Sequence, residues 1–436
     1  MYNKFFLIIC VLILTSCASD NEIDLSKSIN VFESKTVLPF VNEAERLNAK
    51  LNPVKRVENI FNSKSYNLTN GFIELPLKKV WEFDTDQNIS DENPYLPEPI
   101  FIFSHAYLLN NYGVLNKINA ENGKVVWRKK VFESLENTII GTPAISGGLS
   151  EKGEVTIYVH NGSNQIFSIN GKNGKLIWKK NHDLPFRGGM TTSKKSLFLS
   201  DYDGNFLSIN LKTGQTNWNV FLGSDYNSIY TNARPIIAGN KIILPGTGGT
   251  FFIISKDKGD VLWTENISSN KQLPKLFYAG DIVANPIYQN EKAFLVSQSG
   301  YISAFNINTS EELWSLPIGG LETPVLSGQT IFINGNMGLL AAIDIISGQV
   351  RWTKKYPSHV NEDSYFKEKE VAIYKGPTLI DSKIFFSSHN GRISIMNANN
   401  GVEIDSLLVD SLALAPIPFE NKVFFLTSTG KFIAYK

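Results

Sequence analysis

The residues best able to bind metals or transfer protons are scattered along this chain. The five histidines are His105, His160, His182, His359 and His389. None of them stands at a metal-ligand spacing from another histidine, a cysteine or a carboxylate. No serine, histidine and aspartate occur at a recognisable spacing either, although a triad assembled from distant loops would escape this search. The sequence therefore predicts no catalytic residue, no metal site and no bound cofactor.

Two short glycine-containing runs resemble ligand loops but lack the residues that bind the ligand. Gly246–Thr250 has no lysine, which a phosphate-binding loop requires. Asp201–Asn205 resembles the start of a calcium loop, but no glutamate follows at the required distance. Glycines of both runs fall on a repeated position of the chain, so we predict tight turns there.

The N-terminus resembles a bacterial lipoprotein signal. A cationic start is followed by an apolar run, Phe5 to Leu14, and then by Leu14-Thr-Ser-Cys17. The resemblance implies that residues 1–16 are removed and that Cys17 is acylated, which anchors the chain to a membrane. An ordinary secretory signal with a chance cysteine is the alternative.

The residues beside Cys17 refine this prediction. In proteins with such signals, an aspartate directly after the acylated cysteine often means retention at the inner membrane, but here that residue is Ala18. This favours the outer membrane, on its periplasmic face. Cys10 leaves with the signal, so the mature chain holds one cysteine and forms no intramolecular disulfide.

A repeat organises the remainder of the chain. Six of the seven tryptophans end the same phrase of alternating residues, a turn and a short apolar strand: Trp127, Trp178, Trp218, Trp263, Trp314 and Trp352. The seventh, Trp81, stands in a similar short strand without a preceding unit. From Trp81 to Asp405, which takes the tryptophan position of the last complete unit, the spacings are 46, 51, 40, 45, 51, 38 and 53 residues. Such spacings are typical of four-stranded propeller blades of ~40–50 residues.

Two positions that recur in each unit, here called columns, predict turns. Fourteen residues before the closing position stands a glycine in most units and Asn164 in the Trp178 unit, which indicates a tight hairpin because both residues tolerate positive φ. Eight residues before it stands Asn, Asp or Ser, followed four residues later by glycine in every unit but one, which has Ser310. Short polar side chains that bond their own backbone describe a second turn. We interpret the repeated indole as a wedge that packs between adjacent blades.

The chain ends predict how the ring closes. Eight positions, seven of them proline, mark the start of a unit. The last unit, which begins at Pro416, ends at Lys436 before its fourth strand. Lys79-Val-Trp81-Glu reads as a fourth strand without a unit of its own. Pairing it with the last unit would leave no open sheet edge. We predict an all-β fold, an eight-bladed β-propeller of four-stranded antiparallel blades closed by its N-terminal and C-terminal strands.

Composition sets the boundaries and excludes one class of partner. With 42% hydrophobic and 12% aromatic residues, the chain can bury a large core. We predict a signal at 1–16, a polar tether at 17–70 and the propeller at 71–436. The 42 basic and 41 acidic residues nearly cancel, and no basic stripe is visible, which argues against nucleic acid as a partner.

One connection has the composition of a docking site. Asp183–Gly189 precedes the first strand of the third unit and places Leu184, Phe186 and Arg187 together. Apolar residues beside an arginine are typical of anchors in protein interfaces. The alternative is that the leucine and the phenylalanine tuck under neighbouring blades.

Taken together, the acylated cysteine, the tether and eight units with the phrase Ala/Ser-x-Asn/Asp-x-x-x-Gly-x-x-x-Trp resemble the BamB family, the lipoprotein B subunits of the bacterial outer-membrane β-barrel assembly machinery. The repeat also resembles the blades of pyrroloquinoline-quinone dehydrogenases, which are longer, hold calcium and quinone on the ring axis and commonly carry adjacent cysteines. This chain has no such cysteine pair.

The BamB resemblance implies a non-enzymatic scaffold, monomeric within a hetero-complex, that docks to the periplasmic POTRA domains of the barrel-inserting subunit. The family's Leu-x-Leu-Arg-Gly run is implicated in that contact. Leu184, Phe186, Arg187 and Gly188 match it, with phenylalanine for the second leucine. The family's acidic pair before the next blade aligns with Tyr230 and Asn232, so that charge is lost. A quinone-type enzyme and a lipoprotein for another envelope partner or a polysaccharide remain alternatives.

Overall fold

The computed structural model describes residues 38–39, 51, 59–60, 72–86, 96–133, 143–150, 152–223, 233–267, 281–298, 300–360, 370–388 and 390–436. In this part of the chain, eight antiparallel sheets follow one another as blades I to VIII, which confirms the predicted eight-bladed propeller. No α-helix lies among the described residues, where one 3-10 turn, Asn336–Gly338, is present. None of the described residues form a helix long and apolar enough to span a membrane.

The strands follow chain order, with the innermost strand of each blade first. Before the first complete blade come β1 Asn59–Ile60 and β2 Lys79–Asp84. Blades I to IV comprise β3 Ile100–Ile102, β4 His105–Leu109, β5 Val114–Asn119, β6 Val125–Lys130; β7 Ala144–Leu149, β8 Val155–His160, β9 Gln165–Asn170, β10 Leu176–Asn181; β11 Phe186–Thr192, β12 Ser196–Asp201, β13 Asn205–Asn210, β14 Thr216–Phe221; β15 Ile236–Ala238, β16 Lys241–Pro245, β17 Thr250–Ser255 and β18 Val261–Asn266.

The second half of the ring repeats this order with one insertion. Blades V and VI comprise β19 Ile287–Gln289, β20 Lys292–Val296, β21 Ile302–Asn306, β22 Glu312–Leu316; β23 Val325–Ser327, β24 Thr330–Gly335, β25 Leu339–Asp344 and β26 Val350–Lys355. A two-stranded sheet follows, β27 His359–Val360 and β28 Glu370–Val371. Blade VII comprises β29 Tyr374–Ile380, β30 Lys383–Ser388, β31 Arg392–Asn397 and β32 Glu403–Leu408, and blade VIII begins with β33 Ile417–Phe419, β34 Lys422–Leu426 and β35 Lys431–Tyr435.

The two chain ends close the ring as predicted. Strand β2 pairs antiparallel with β35 and is the fourth strand of blade VIII. Trp81 lies opposite Ala434 in this pairing. Beyond β35, the backbones of Lys78 and Lys436 exchange two hydrogen bonds, of 2.8 and 2.9 Å. The last blade therefore presents no unpaired edge at its third strand.

The hydrophobic core is itself a ring. Eight clusters of buried apolar residues lie among the described residues, each between two consecutive blades. One of them joins blade VIII to blade I through Phe101, Phe419 and Phe424. Since each blade contributes to two clusters, unfolding of one blade would expose the apolar residues of both clusters to water.

The second predicted turn has the expected side-chain geometry. In blade I, Asn119 Oδ1 accepts hydrogen bonds from the backbone N of Glu121 (2.9 Å) and Asn122 (3.2 Å). The backbone N of Gly123 donates to Asn119 O, and Gly123 has a φ of +71°. The same pattern around Asn170, Asn210 and Asn397 shows that the column encodes one recurring turn.

The first predicted turn is correct in most blades and wrong in detail in blade II. The hairpin glycines Gly113 and Gly391, for example, have φ of +81° and +86°. In blade II, Gly162 takes the positive φ, at +74°, two residues before the expected Asn164. The loop keeps the length that it has in blade I, 161–164 against 110–113, but its conformation differs, and the backbone N of Gly162 donates to His160 Nδ1 (3.1 Å).

Candidate functional site

The segment 183–189 is held firmly between blades II and IV. The backbone N of Phe186 donates to Ser163 O (2.7 Å) in blade II, and the backbone N of Gly189 donates to Ala233 O (3.1 Å) beside blade IV. From Phe186 onward the segment is part of β11 rather than a surface connection, which corrects the sequence interpretation. The rigid backbone fixes the direction in which the side chains point.

Phe186 is a core residue and does not form a surface anchor. Its side chain is 1% exposed and packs in the cluster between blades II and III. The ring stacks on His182 at a centroid distance of 5.1 Å and lies 5.6 Å from His160. The burial of Phe186 agrees with the alternative for this residue, a side chain tucked under neighbouring blades, while contact of the run with a partner stays a prediction.

The other three residues of the run are half-buried. Leu184, Arg187 and Gly188 keep part of their surface exposed. Arg187 lies opposite Ser200 in the pairing of β11 with β12, and the register shifts directly after it. Gly188, at a φ of +73°, begins this irregular stretch. Arg187 lies at the boundary between blades III and IV.

A cavity of about 300 Å³ occupies that boundary. Arg187 and Asp201 line it from blade III, while Thr247 and Asp281 line it from blade IV and the connection to blade V. The two runs that resembled ligand loops, 201–205 and 246–250, thus flank one groove, and each forms a turn. Asp281 Oδ1 accepts a hydrogen bond from the backbone N of Gly248 (2.7 Å), which orders the second of them.

The carboxylate of Asp201 is charged and fully partnered. Burial alone would raise its pKa, but hydrogen bonds from the side chains of His182 and Asn205 and from the backbone N of Asn205 together hold the pKa of Asp201 below its ordinary value. The groove therefore combines an arginine with ionised carboxylate, an arrangement suited to charge-assisted hydrogen bonds with an extended backbone or with charged side chains.

His160 holds the backbone beside this groove through a hydrogen bond to Gly188. Burial lowers the pKa of His160 to about 4, while the hydrogen bond to Gly188 opposes the shift and the nearby Arg234 adds to it. The ring is therefore neutral, with Nδ1 accepting from Gly162 N, so Nε2 carries the proton and donates to Gly188 O at 3.0 Å. Sequence reasoning missed this role, because His160 lies 28 residues from Gly188 and belongs to another blade.

A charged pair lies at the ring axis. Arg234 and Glu98 precede the innermost strands of blades IV and I, three blades apart, yet Arg234 Nη2 lies 3.5 Å from a carboxylate oxygen of Glu98. Arg234 also donates to Met190 O (3.2 Å), and its backbone N donates to Asn285 Oδ1 (2.9 Å). Because both charged side chains are largely buried, the pair bridges the axial region on this face.

These residues do not fit a calcium and quinone site of the dehydrogenase type. Such a site needs carboxylate and amide oxygens free to bind a cation, whereas Glu98 faces a guanidinium. Among the described residues, no group of three or more His, Cys, Asp or Glu side chains is placed to hold a metal ion.

Three sequence-predicted positions fall outside the described residues: Cys17, Tyr230 and Asn232. The seven tryptophans are all described and occupy equivalent places. In each, the indole Nε1 donates to a backbone carbonyl of the next blade, as Trp178 does to Leu211 O at 3.0 Å. Trp352 is buried and the other six are half-buried. Their arrangement agrees with a wedge between blades.

The sequence matches a family model described as outer membrane protein assembly factor BamB over residues 111–354. Curated proteins of that name are similar along most of their length. The protein from Burkholderia pseudomallei is 20% identical over 82% of this chain and 87% of its own, and the one from Escherichia coli is 19% identical over 74% and 80%.

Solved structures share the fold at lower identity. BamB from Moraxella catarrhalis superposes with a TM-score of 0.65 at 15% identity, covering 83% of this chain and 99% of its own. A europium-containing methanol dehydrogenase superposes with a TM-score of 0.62 at 11% identity, over 80% of this chain and 84% of its own. At these identities the likeness concerns the fold alone.

Proposed function

This chain belongs to the family described as outer membrane protein assembly factor BamB, and we propose from that membership that it is a non-enzymatic scaffold of the outer-membrane protein assembly complex. In this proposal Cys17 carries the acyl anchor, residues from Cys17 onward tether the ring, and the propeller of 71–436 lies on the periplasmic face of the outer membrane. The assembly-factor names of the curated relatives support it.

The proposed docking site is the groove between blades III and IV. Its partner is the set of POTRA domains of the barrel-inserting subunit, and its contact residues are Leu184, Arg187 and Gly188. Phe186 acts indirectly, since its buried ring fills the space beneath them. The observation that carries this assignment is the fixed position of Arg187 on a clamped backbone beside a 300 Å³ cavity, because a preorganised charged group loses little entropy on binding.

Charge reversal at Arg187 tests the docking site. We expect R187E to weaken binding to purified POTRA domains at least about tenfold, equivalent to ~1.4 kcal/mol, with the melting temperature maintained. Arg128→Glu on the outer strand of blade I is the matched control, because Arg128 is an exposed arginine of another blade, where it pairs with Asp86 at 2.6 Å. Equal affinity of wild type and R187E would refute the site, and equal weakening by R128E would show a nonspecific charge effect.

The anchor and the complex need separate experiments. Cys17→Ser should release the protein from the membrane fraction and abolish incorporation of labelled fatty acid. A pull-down of the acylated protein from solubilised membranes should recover the barrel-inserting subunit. Recovery of a different envelope protein or of polysaccharide instead would favour the alternative of another partner.

A quinone-dependent enzyme is the remaining alternative, and the shared propeller fold is what favours it. The Glu98–Arg234 pair opposes it. If the protein were such an enzyme, pyrroloquinoline quinone with calcium would raise the melting temperature. We expect no shift.

A further inference from the structure

Blade VI differs from the other blades along its outer strand. Arg351, directly before the closing tryptophan, is 2% exposed. At the same position in blades I, II and IV the residues are half exposed: Val126 49%, Ile177 50% and Leu262 48%. Val350, one residue earlier, is fully buried, whereas Val125 in blade I is 48% exposed. Something therefore covers the outer edge of blade VI.

The covering residues that the structure describes belong to the N-terminal part of this chain. The backbone N of Val350 donates to Pro39 O at 2.6 Å. Leu38 packs against the apolar cluster between blades V and VI. A backbone hydrogen bond to an outer strand together with an apolar side chain beside it is the pattern by which an extended segment binds a sheet edge.

The sequence of the segment suits this pairing. A residue that precedes proline is biased to extended backbone, so Pro39 prepares Leu38 for lying along a strand. Proline has no N–H, so pairing through its carbonyl leaves no buried donor of its own without a partner. The Pro39 carbonyl can therefore accept a hydrogen bond from the strand edge, and Pro39 has no N–H that would be buried without a partner.

Blade VI also carries side chains that the other blades lack. Its turn column holds Asp344 where most blades have asparagine, and Arg351 stands where they have apolar or neutral residues. Arg351 donates to Asp344 Oδ2, and both residues are buried. Burial alone would raise the pKa of Asp344, but bonds from the backbone of Ser347 and Ile346 and the charge of Arg351 hold that pKa below its usual value. A buried ion pair at this one edge indicates a site adapted to being covered.

Two further described parts of the N-terminal segment also contact the ring. Leu51 packs against the cluster between blades VI and VII. Strand β1, Asn59–Ile60, pairs with β3, the innermost strand of blade I. Parts of the segment expected to be a free tether thus lie on the ring at its outer edge, at a blade boundary and next to the axis.

We propose that the outer edge of β26 is a strand-binding site and that its occupant is the chain's own Leu38–Pro39 segment. The tether that joins Cys17 to the ring then spans the 21 residues from Cys17 to Leu38. That length reaches at most about 75 Å when fully extended, against about 120 Å for the 34 residues to Leu51, the next described point of attachment. The fastening shortens the tether by more than a third and makes blade VI the point from which the ring is held.

Hydrogen exchange on the full mature chain tests the site. We expect Leu38→Asp to speed exchange of the Val350 amide at least about tenfold, while Leu38→Ile retains the wild-type rate. Leu38→Ser is the milder variant if the aspartate disturbs folding. The Val261 amide, at the same position of blade IV, is the internal control and should not change. An unchanged Val350 rate in folded L38D, or an equal increase at Val261, would overturn the proposal.

A second arm tests whether the edge binds strands as such. A tethered segment has an effective concentration of millimolar order, so a synthetic peptide of residues 33–43 is added to L38D at millimolar concentration. Restored protection at Val350 is expected, and the same peptide with the Leu38→Asp change should restore none. Failure of the wild-type peptide to protect Val350 would contradict a strand-binding edge. Neither arm depends on the docking groove or on the acyl anchor.

Discussion

The indole of Trp314 packs against Gly348 of the next blade, so closely that a Cβ on Gly348 would stand 2.7 Å from Trp314 Cγ. Trp314 Nε1 also donates to Ile345 O, in the same turn, at 3.1 Å. The same fit recurs around the ring in the described pairs Trp81–Gly123, Trp127–Gly174, Trp178–Gly214, Trp218–Gly259 and Trp352–Gly401. The tryptophan column and the turn glycine column are thus the two sides of one contact between blades.

Gly348→Ala should destabilise the ring by roughly 3 kcal/mol. A positive φ, here +71°, costs a non-glycine residue about 1–2 kcal/mol, and forcing a methyl group into a packed contact adds ~1–3 kcal/mol. Urea unfolding followed by tryptophan fluorescence measures the loss.

Gly239→Ala is the matched control, because Gly239 has a φ of +66° but nothing within 4 Å of the place its Cβ would take. The Gly239→Ala variant should lose only the stability that the positive φ costs a non-glycine residue, about 1 kcal/mol. If both variants lost the same stability, the indole contact would contribute nothing beyond backbone conformation.

Ser310→Gly should stabilise the protein by about 1 kcal/mol. Ser310 occupies the turn position that glycine holds in the other blades with this turn, and its φ is +59°. Glycine adopts this conformation without the steric cost that a Cβ carries, although it loses more chain entropy on folding. The measurement is the midpoint of urea unfolding, and a lower midpoint than wild type would contradict the expectation.

Trp263→Ala should lower stability by roughly 3 kcal/mol, the low end for removal of a large aromatic side chain. The indole is half-buried, donates to Ile307 O at 3.2 Å and packs edge-on to Phe251 at 5.4 Å. A melting curve unchanged from wild type would refute its role as a wedge between blades IV and V.

Asp405→Ala provides the comparison for that variant. Asp405 takes the tryptophan position in blade VII, which faces blade VIII. Blade VIII receives its fourth strand from β2, and Lys78 pairs with Lys436 where the other blades have the turn that receives an indole, so Asp405 meets no such turn among the described residues. We expect a change of about 0.5 kcal/mol or less, the range of ordinary surface substitutions.

Features that recur in every unit could be predicted from the sequence, and contacts that occur once in the structure could not. Blade number, strand order and the closing pair β2–β35 followed from spacing, because every unit repeats the same turns. The burial of Phe186, the bridge from Arg234 to Glu98 and the Pro39–Val350 bond each join residues far apart in the chain. No periodicity encodes such contacts. Phe186 was ambiguous because a phenylalanine beside an arginine has the composition of an interface anchor and of a core residue alike.

Acid should destabilise the ring through His160. Burial lowers its pKa from 6.5 to about 4, so between these values the unfolded chain binds a proton that the folded chain excludes. Stability from this residue is complete above pH ~6.5 and is lost as pH falls toward 4, by up to roughly 3 kcal/mol. Urea unfolding at pH 7 and pH 4.5 should show most of this loss in the wild type.

His160→Gln removes the titrating group and should reduce that difference between the two pH values, even if it lowers stability at both. His359→Gln, in the two-stranded sheet that precedes blade VII, is the control and should keep the wild-type difference. In the folded chain the ring of His160 stays largely neutral down to about pH 4, so its hydrogen bond to Gly188 O, in the irregular stretch after Arg187, is kept. His160 should therefore leave affinity for POTRA domains unchanged between pH 6.5 and 4.5, and a fall in affinity that occurs in the wild type but not in H160Q would contradict this expectation.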